Sequence, residues 1–446
     1  MAKEYDLVIA GAGPAGLMVS RVTSESGLKV LLVEQKKDIP KVFRACCSNL
    51  IIEPGTHKET VRFSDGELVF DNNRFSVPYN GSVIPLKNNT RISPGGQTLT
   101  IKGAGPEGNV AVSFEKESFL QELFCLVQET DVEILSQTQA VKAENVEDGV
   151  LVTLHDSGGE FTVKAKVAVA ADGVNSRIVQ SLDLNQKQRK FFGRFAVASC
   201  HMEGVNCPYP NEWLTFVGKG HTRHGRGQLY MCSKPYGGRT EPTVYELTCG
   251  VPVMEQSSDI TPKDELDYFT TKGRFAPWFK NMKVVEKRAA ILNFYTPLIN
   301  PVEGNVVVVG DAAAFIETYI QGAVMYGFQA ANAIVKYLST GTGLEDYATS
   351  WKDSFEYNDP EQIKLAIQVF GIHVMTDDDL DYLFGLTGED DIRGYLNEFT
   401  EQITIMNAIF SHLDQVEKER PELAAALQKL RDVSVQDALQ IESDKK

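Results

Sequence analysis

The sequence predicts an α/β chain with a parallel-sheet domain, a domain built on an antiparallel sheet, and a helical C-terminal segment. Three observations predict it. Residues 5–34 read as a βαβ unit with a glycine-rich first turn. Residues 185–290 carry aromatic, strand-like runs separated by Gly/Pro turns. Residues 345–446 are charged and amphipathic, mostly at helical spacing.

The βαβ unit is the most specific of the three. Tyr5 to Ala10 is an apolar run of strand length, followed at once by Gly11-Ala12-Gly13-Pro14-Ala15-Gly16. Leu17 to Ser26 is compatible with a helix, which Gly27 closes. Leu28 to Val33 is a second strand, ending on Glu34 and Gln35, with Glu34 18 residues beyond the last glycine of the turn. Gly11 permits a tight turn, Gly13 lets the backbone approach a pyrophosphate, and Gly16 lets helix and sheet pack without a Cβ between them. The first helical turn offers unpaired N–H groups and a positive dipole end, which suit a diphosphate. Glu34 is placed to bond ribose hydroxyls. The stretch therefore points to a nucleotide site. Gly103-Ala104-Gly105-Pro106-Glu107-Gly108 repeats the pattern, but Val110, Val112 and Phe114 alternate after it, so it reads as a turn between strands.

Length predicts two or three subdomains for the 446 residues. A formal charge of −16 argues against nucleic-acid binding and against an electrostatic hold on anionic lipid. It leaves room for a local basic pocket or an apolar membrane contact. Seven cysteines without regular spacing suit a reducing, cytoplasmic compartment. No signal peptide and no run long enough for a transmembrane helix is visible. Asn80 and Asn88 stand in Asn-x-Ser/Thr triplets that read as loops.

Further along, Lys36, Lys37, Lys41 and Arg44 make a basic link that contains Cys46-Cys47-Ser48. Glu115 to Glu129 has helical spacing. Val132 to Leu135, Val150 to Leu154, Phe161 to Lys164 and Val167 to Ala171 read as strands, the last running into Asp172-Gly173-Val174-Asn175-Ser176-Arg177. Val306 to Val309 is a buried-type strand ending in Gly310-Asp311-Ala312-Ala313, and a long helix is expected from about Val324 to Ser339. Thr376 to Leu383 and Leu386 to Asp391 read as acid-rich turns, and Leu423 to Leu430 as a last helix.

Three segments together carry a family resemblance: the N-terminal βαβ unit, Ala171 to Arg177, and Gly310 to Ala313 with the following Gln321-Gly322-Ala323-Val324 turn and helix to Ile334. In order and spacing they resemble the superfamily of FAD-dependent aromatic hydroxylases and geranylgeranyl reductases, over roughly residues 1–345. The resemblance implies a Rossmann-like, glutathione-reductase-type FAD-binding domain made of residues 1–50, 100–184 and 290–344. It implies a substrate domain of residues 51–99 and 185–289, and leaves 345–446 as the helical segment. It also implies FAD contacts at Gly11, Gly13, Pro14, Ala15, Gly16, Glu34, Gln35, Arg44, Lys116, Asp172, Gly173, Arg177, Gly310, Asp311, Gln321, Gly322, Ala323 and Val324. Lys116 stands where such proteins usually carry an arginine near the flavin ribityl chain.

Two departures draw attention. Glu317-Thr318-Tyr319-Ile320 occupies the stretch where the superfamily has a flavin-facing proline, so an acid and a phenol become candidates for proton transfer or pocket shape. Geranylgeranyl reductases typically have a cysteine after the second strand. Cys46 and Cys47 lie at the matching distance from Glu34, though the glycine next to it in that family is missing. A flavin-side thiol could donate a proton, gate the substrate channel or form an adduct, and Arg44 favours its thiolate. The competing reading is two small buried residues in a loop.

The expected activity is an FAD-dependent oxidoreductase, geranylgeranyl-reductase-like, that passes hydride between flavin N5 and an apolar unsaturated substrate. An NAD(P)H-dependent monooxygenase and an FAD-binding electron carrier are the alternatives. NAD(P)H or a protein could be the electron donor. No metal site is expected: His221 and His224 lack a third ligand, and His201 with Cys200 and Cys207 is no better. The run from His221 to Arg226 reads as a solvated hairpin tip. Phe191, Phe192, Phe195, Trp213, Phe216, Tyr230 and Tyr236 read as sheet core more readily than as a cavity lining.

Overall fold

A computed structural model describes residues 3–225, 227–253, 260–314, 319–356, 375–397 and 400–432. An eight-stranded sheet forms the N-terminal layer. Glu4–Ala10 runs at its centre, parallel to Val30–Val33 on one side and to Gly159–Ala170 on the other. Glu133–Leu135 and Val306–Val308 extend the parallel part, and Gly149–Asp156 and Gln139–Val146 add an antiparallel wing. The central strands are buried on both faces, as continuous apolar runs such as Val30–Val33 require. The helix Pro14–Glu25 covers the sheet and packs on the long helix Tyr319–Thr340. The two helices approach closely at Gly327, where a Cβ would meet the Ala15 carbonyl at 2.8 Å.

The second large sheet also has eight strands, in the order Lys283–Tyr295, Phe191–Glu203, Arg239–Pro252, Gln228–Tyr236, Glu212–Phe216, Asn88–Ile92, Thr98–Gly103, Ile392–Gly394. It is strictly two-sided. Leu229, Met231, Leu247, Cys249, Val251 and Phe216 point to one face and form an apolar core with Leu266 and Phe269 of the helix Pro262–Thr271. The alternate positions point the other way, since side chains along a strand change face at every residue. That second face meets a three-stranded sheet of Asn49–Ile51, Ala111–Phe114 and Val83–Leu86.

Several expectations need correction. Asp377–Thr387 is a helix, not an acid-rich turn. The Thr376 hydroxyl accepts from the Asp379 N–H, and three aspartates lie in the first turn, where the helix dipole favours them. Asn88 lies in a strand rather than a loop. Phe161 to Ala171 is not two strands: Gly159–Ala170 is continuous. The long helix starts at Tyr319, five residues before Val324. Strands Thr98–Gly103 and Lys283–Tyr295 run across the expected boundaries at 100 and 290. Hydrogen-bonded ladders, not composition, decide where a sheet ends. The C-terminal segment supplies the edge strand Ile392–Gly394 as well as helices.

Candidate cofactor and substrate site

The glycine turn sits at the C-terminal edge of the parallel sheet. Gly11 has φ +99°, and a Cβ on it would meet the Ala171 carbonyl oxygen at 2.4 Å. A Cβ on Gly16 would lie 1.9 Å from the Gly11 carbonyl oxygen. Both glycines are therefore fixed by packing within the protein. Gly13 differs: nothing lies within 4 Å of where its Cβ would be. It caps a helix with Pro14 at the first position, no capping side chain and no acid in the first turn. An open backbone cradle before an uncapped helix N-terminus fits a pyrophosphate. Glu34 is buried at the end of its strand, and its two carboxylate oxygens each accept a backbone N–H at 2.9 Å, from Ala12 and from Lys36. Gln35 stands next to it and accepts from the Gln139 amide.

The second and third segments converge here. Gly310, at φ +62°, packs its backbone against Ala15, with 3.1 Å from a Cβ there to the Ala15 Cβ. Asp311 and Arg44 form an ion pair, Nη2 to Oδ2 2.6 Å. Gly173, at φ +84°, opens toward the Arg44 guanidinium. Asp172 accepts the Arg177 N–H through Oδ2. Its Oδ1 is buried and has no partner among the described residues, and burial pushes its carboxyl above the usual value. Arg177 itself is exposed. Gln321, Gly322, Ala323 and Val324 lie in the first turns of the long helix. The Gln321 Nε2 donates to the Ile51 carbonyl, and its buried Oε1 lacks a partner among the described residues. The donor set, the open cradle and these orphaned oxygens fit FAD. Bound there, FAD supplies reversible two-electron chemistry at its N5.

Of the catalytic candidates, Glu317 lies outside the described residues. Tyr319 has φ +51°, and its hydroxyl lies 3.5 Å from the Asn397 Oδ1. It packs against the cluster that contains Cys232, as Trp213 also does, and its ring lies 5.7 Å from that of His57.

The two cysteines are driven in opposite directions. Burial would raise the Cys46 thiol, but the Lys116 ammonium, 3.4 Å from Sγ, and the Arg44 guanidinium outweigh it and hold it below the usual thiol value. Burial, reinforced by the Glu246 carboxylate, pushes Cys47 well above that value. Cys47 lines a narrow gap with Trp213, Tyr230, Cys232, Glu246 and Thr248. Lys116 thus meets Cys46, where the sequence suggested the flavin chain alone.

Pattern reading missed Lys234 and Glu246. Both are buried, 3.5 Å apart, on the face of the sheet that looks toward Cys47. Burial would raise the Glu246 carboxyl, but Lys234, His201 and Arg288 together outweigh it and bring it down to about 2. The available signal was a charge at an alternate position of an apolar strand. Trp213 and Tyr230 also belong to this face, whereas Phe216 is core. His221 is not at a solvated tip. It is buried beside Phe275 and Phe216, its Nε2 lies 3.0 Å from the Ile92 carbonyl, and burial lowers its pKa to about 4. His224 turns instead to the buried Glu265.

Residues 123–316 match a family of FAD binding domains. This is an FAD-dependent oxidoreductase. A digeranylgeranylglycerophospholipid reductase from Methanococcus vannielii is 25% identical over 362 residues, covering 79% of this chain and 83% of that protein. A solved geranylgeranyl bacteriochlorophyll reductase-like protein from Thermoplasma acidophilum superposes with a TM-score of 0.68 at 15% identity, over 96% of this chain and 99% of that one. The p-nitrophenol 4-monooxygenase of Pseudomonas putida shares the fold at a TM-score of 0.62 and 13% identity, over 92% and 98% of the two chains. The oxidoreductase is thus built on the frame that geranylgeranyl reductases and aromatic hydroxylases share.

Proposed function

We propose that this oxidoreductase saturates carbon–carbon double bonds in the isoprenoid chain of an apolar substrate. The observation that carries the reading is the cysteine pair: a thiol held protonated, facing an aromatic gap, beside one held toward thiolate. Neighbouring groups whose environments drive them apart are the mark of an assigned acid and base. The likeness to digeranylgeranylglycerophospholipid reductases along most of the chain supports the same reading.

In this reading the Gly13 cradle and the amides of the first helical turn take the pyrophosphate, and Glu34 takes a ribose. Asp311 and Arg44 hold the flavin-side chain. Gln321 to Val324 meet the pyrimidine edge of the flavin, where the helix N-terminus favours negative charge. Trp213 and Tyr230 exclude water from the alkene. Cys47 Sγ–H delivers the proton to the carbon adjacent to the one that accepts hydride. Lys116 and Arg44 keep Cys46 charged beside the cofactor. Tyr319 shapes the pocket wall. NAD(P)H or a protein donor returns the electrons. The exposed Phe43, Phe191, Ile291 and Ile299 support peripheral contact with a membrane, and no helix among the described residues is long and apolar enough to cross one. Seven free cysteines support a cytoplasmic setting.

The test is anaerobic incubation of the FAD-loaded, dithionite-reduced protein with digeranylgeranylglycerophospholipid. Product gaining two hydrogens per reduced bond, with loss of this gain in Cys47→Ser and retained FAD, is expected. Labelled dioxygen appearing in the product under air, without saturation, would overturn the reading in favour of a monooxygenase.

A further inference from the structure

Four adjacent strands of the two-sided sheet place a row of polar side chains in register. Cys232 stands opposite Glu246, Glu246 opposite His201, and His201 opposite Glu286. Directly opposed residues share a face and sit within side-chain reach, so sheet geometry alone aligns them. Cys232, Glu246 and His201 are each less than a tenth exposed. The imidazole lies between two carboxylates: Nε2 is 3.7 Å from Glu246 Oε1, and Nδ1 is 3.2 Å from Glu286 Oε2. Among the described residues neither ring nitrogen closes a hydrogen bond, while Glu246 Oε2 turns to the Lys234 ammonium at 3.5 Å. Two unsatisfied nitrogens on one buried ring are rare in a purely structural network.

The row has two distinct ends. At the inner end, Glu246 lines the gap that holds Cys47, and Lys234 stands beside it, anchored by Asn49 and Ser113. At the outer end, Glu286 is one-fifth exposed and accepts from Arg288 Nε at 2.8 Å. Arg288 in turn faces Glu117, which pairs with the half-exposed Lys41. The charged groups thus run without a break from the gap to solvent.

We propose that Glu246, His201 and Glu286 form a proton relay that restores the Cys47 thiol from solvent. The proposal rests on the role of Cys47 given above. When Cys47 Sγ has given up its proton, His201 Nε2–H protonates the Glu246 carboxylate, which passes that proton on to the sulfur. The imidazole recovers its proton at Nδ1 from Glu286, which takes one from water. One proton moves from solvent to sulfur, no electrons move along the row, and rotation of the imidazole returns every group to its starting state. The 3.7 Å step closes by a small side-chain adjustment, as resting-state contacts of working acid–base groups commonly do. Lys234 and Arg288 are positioning residues that hold the two carboxylates in place.

The test measures hydrogen-to-deuterium exchange at the thiol itself, through the S–H stretching band in heavy water, on the full-length FAD-loaded protein. Cys47→Ser assigns the band. Cys249, fully buried on the apolar face of the same sheet, is the internal reference. Cys47 is expected to exchange faster than Cys249, and His201→Gln to slow Cys47 by about tenfold or more while leaving Cys249 unchanged. Glu286→Gln, at the partly exposed end, carries the same expectation if the His201 variant fails to fold. Unchanged Cys47 exchange in a folded variant overturns the relay. So does faster exchange of both thiols together, which is what a merely structural row would give on loosening. Failure of the wild-type protein to saturate the geranylgeranyl lipid would refute the proposed function and leave the exchange result standing.

Discussion

Two stretches of the chain spell the same glycine pattern and fold into different objects. Gly11 to Gly16 leaves a strand and opens a twelve-residue helix, with Gly13 facing open space. Gly103 to Gly108 leaves a strand and closes on itself. Its single 3-10 turn, Pro106–Gly108, has Glu107 at φ +57°, and the chain then enters Ala111–Phe114. In this second turn the Gly105, Gly108 and Asn109 N–H groups all bond carbonyls of the same loop. An anion needs amides that nothing else has claimed. A helix start provides them and a closed loop does not. The glycines specify flexibility, and the element they open into, helix or strand, specifies function.

That contrast can be broken or sharpened by substitution. Gly16→Ala should have the largest effect, about 3 kcal/mol or more of lost stability, because a methyl cannot enter 1.9 Å from a backbone oxygen. Denaturant unfolding measures it, and a loss below about 1 kcal/mol would show that the helix can slide. Glu34→Gln should cost about 2 kcal/mol, since an amide can accept only one of the two N–H groups now bound to the carboxylate. The second turn has no acid in the equivalent place, so this loss belongs to the first turn alone. Gly13→Ala should separate folding from binding. The FAD-free protein should change by no more than about 0.5 kcal/mol, while FAD affinity falls at least about tenfold, or about 1.4 kcal/mol, in a fluorescence titration. Equal affinity would place the pyrophosphate elsewhere. Gly108→Ala should do little beyond a stability loss of about 1 kcal/mol for a side chain at φ +70° with open space around it, with FAD affinity unchanged. Any loss of FAD there would mean that the two turns are not functionally distinct.

Local signals in the sequence carried much of the nucleotide layer. A βαβ unit is contiguous, so strand, glycine turn, helix and acid can be read in one pass, and Val306 to Asp311 announces itself as a buried strand running into a turn. The second sheet was legible as strands but not as a surface. Its polar row is assembled from positions 201, 232, 246 and 286, which only the strand order brings together. Glu246 and Lys234 each look like an isolated charge in an apolar run. The aspartates at 377 to 379 misled by composition. Three acids suggest a turn until Thr376 is read as a cap and the acids as partners of a helix dipole. The opposite behaviour of Cys46 and Cys47 has no sequence signature, because it depends on Lys116 and Glu246, one from each of two distant segments.

The period-two alternation of the second sheet has a consequence for changing what the protein accepts. Along Gln228–Tyr236 and Arg239–Pro252, one set of alternate positions is spoken for by the apolar core and the other by the gap around Cys47. The same strands are therefore two independently editable surfaces printed on one backbone. On the proposed reading, in which this gap receives the substrate, residues such as Tyr230 and Thr248 can be redrawn to fit a longer or bulkier chain while Leu229 and Leu247 go on holding the scaffold, so specificity can drift without the architecture having to change with it.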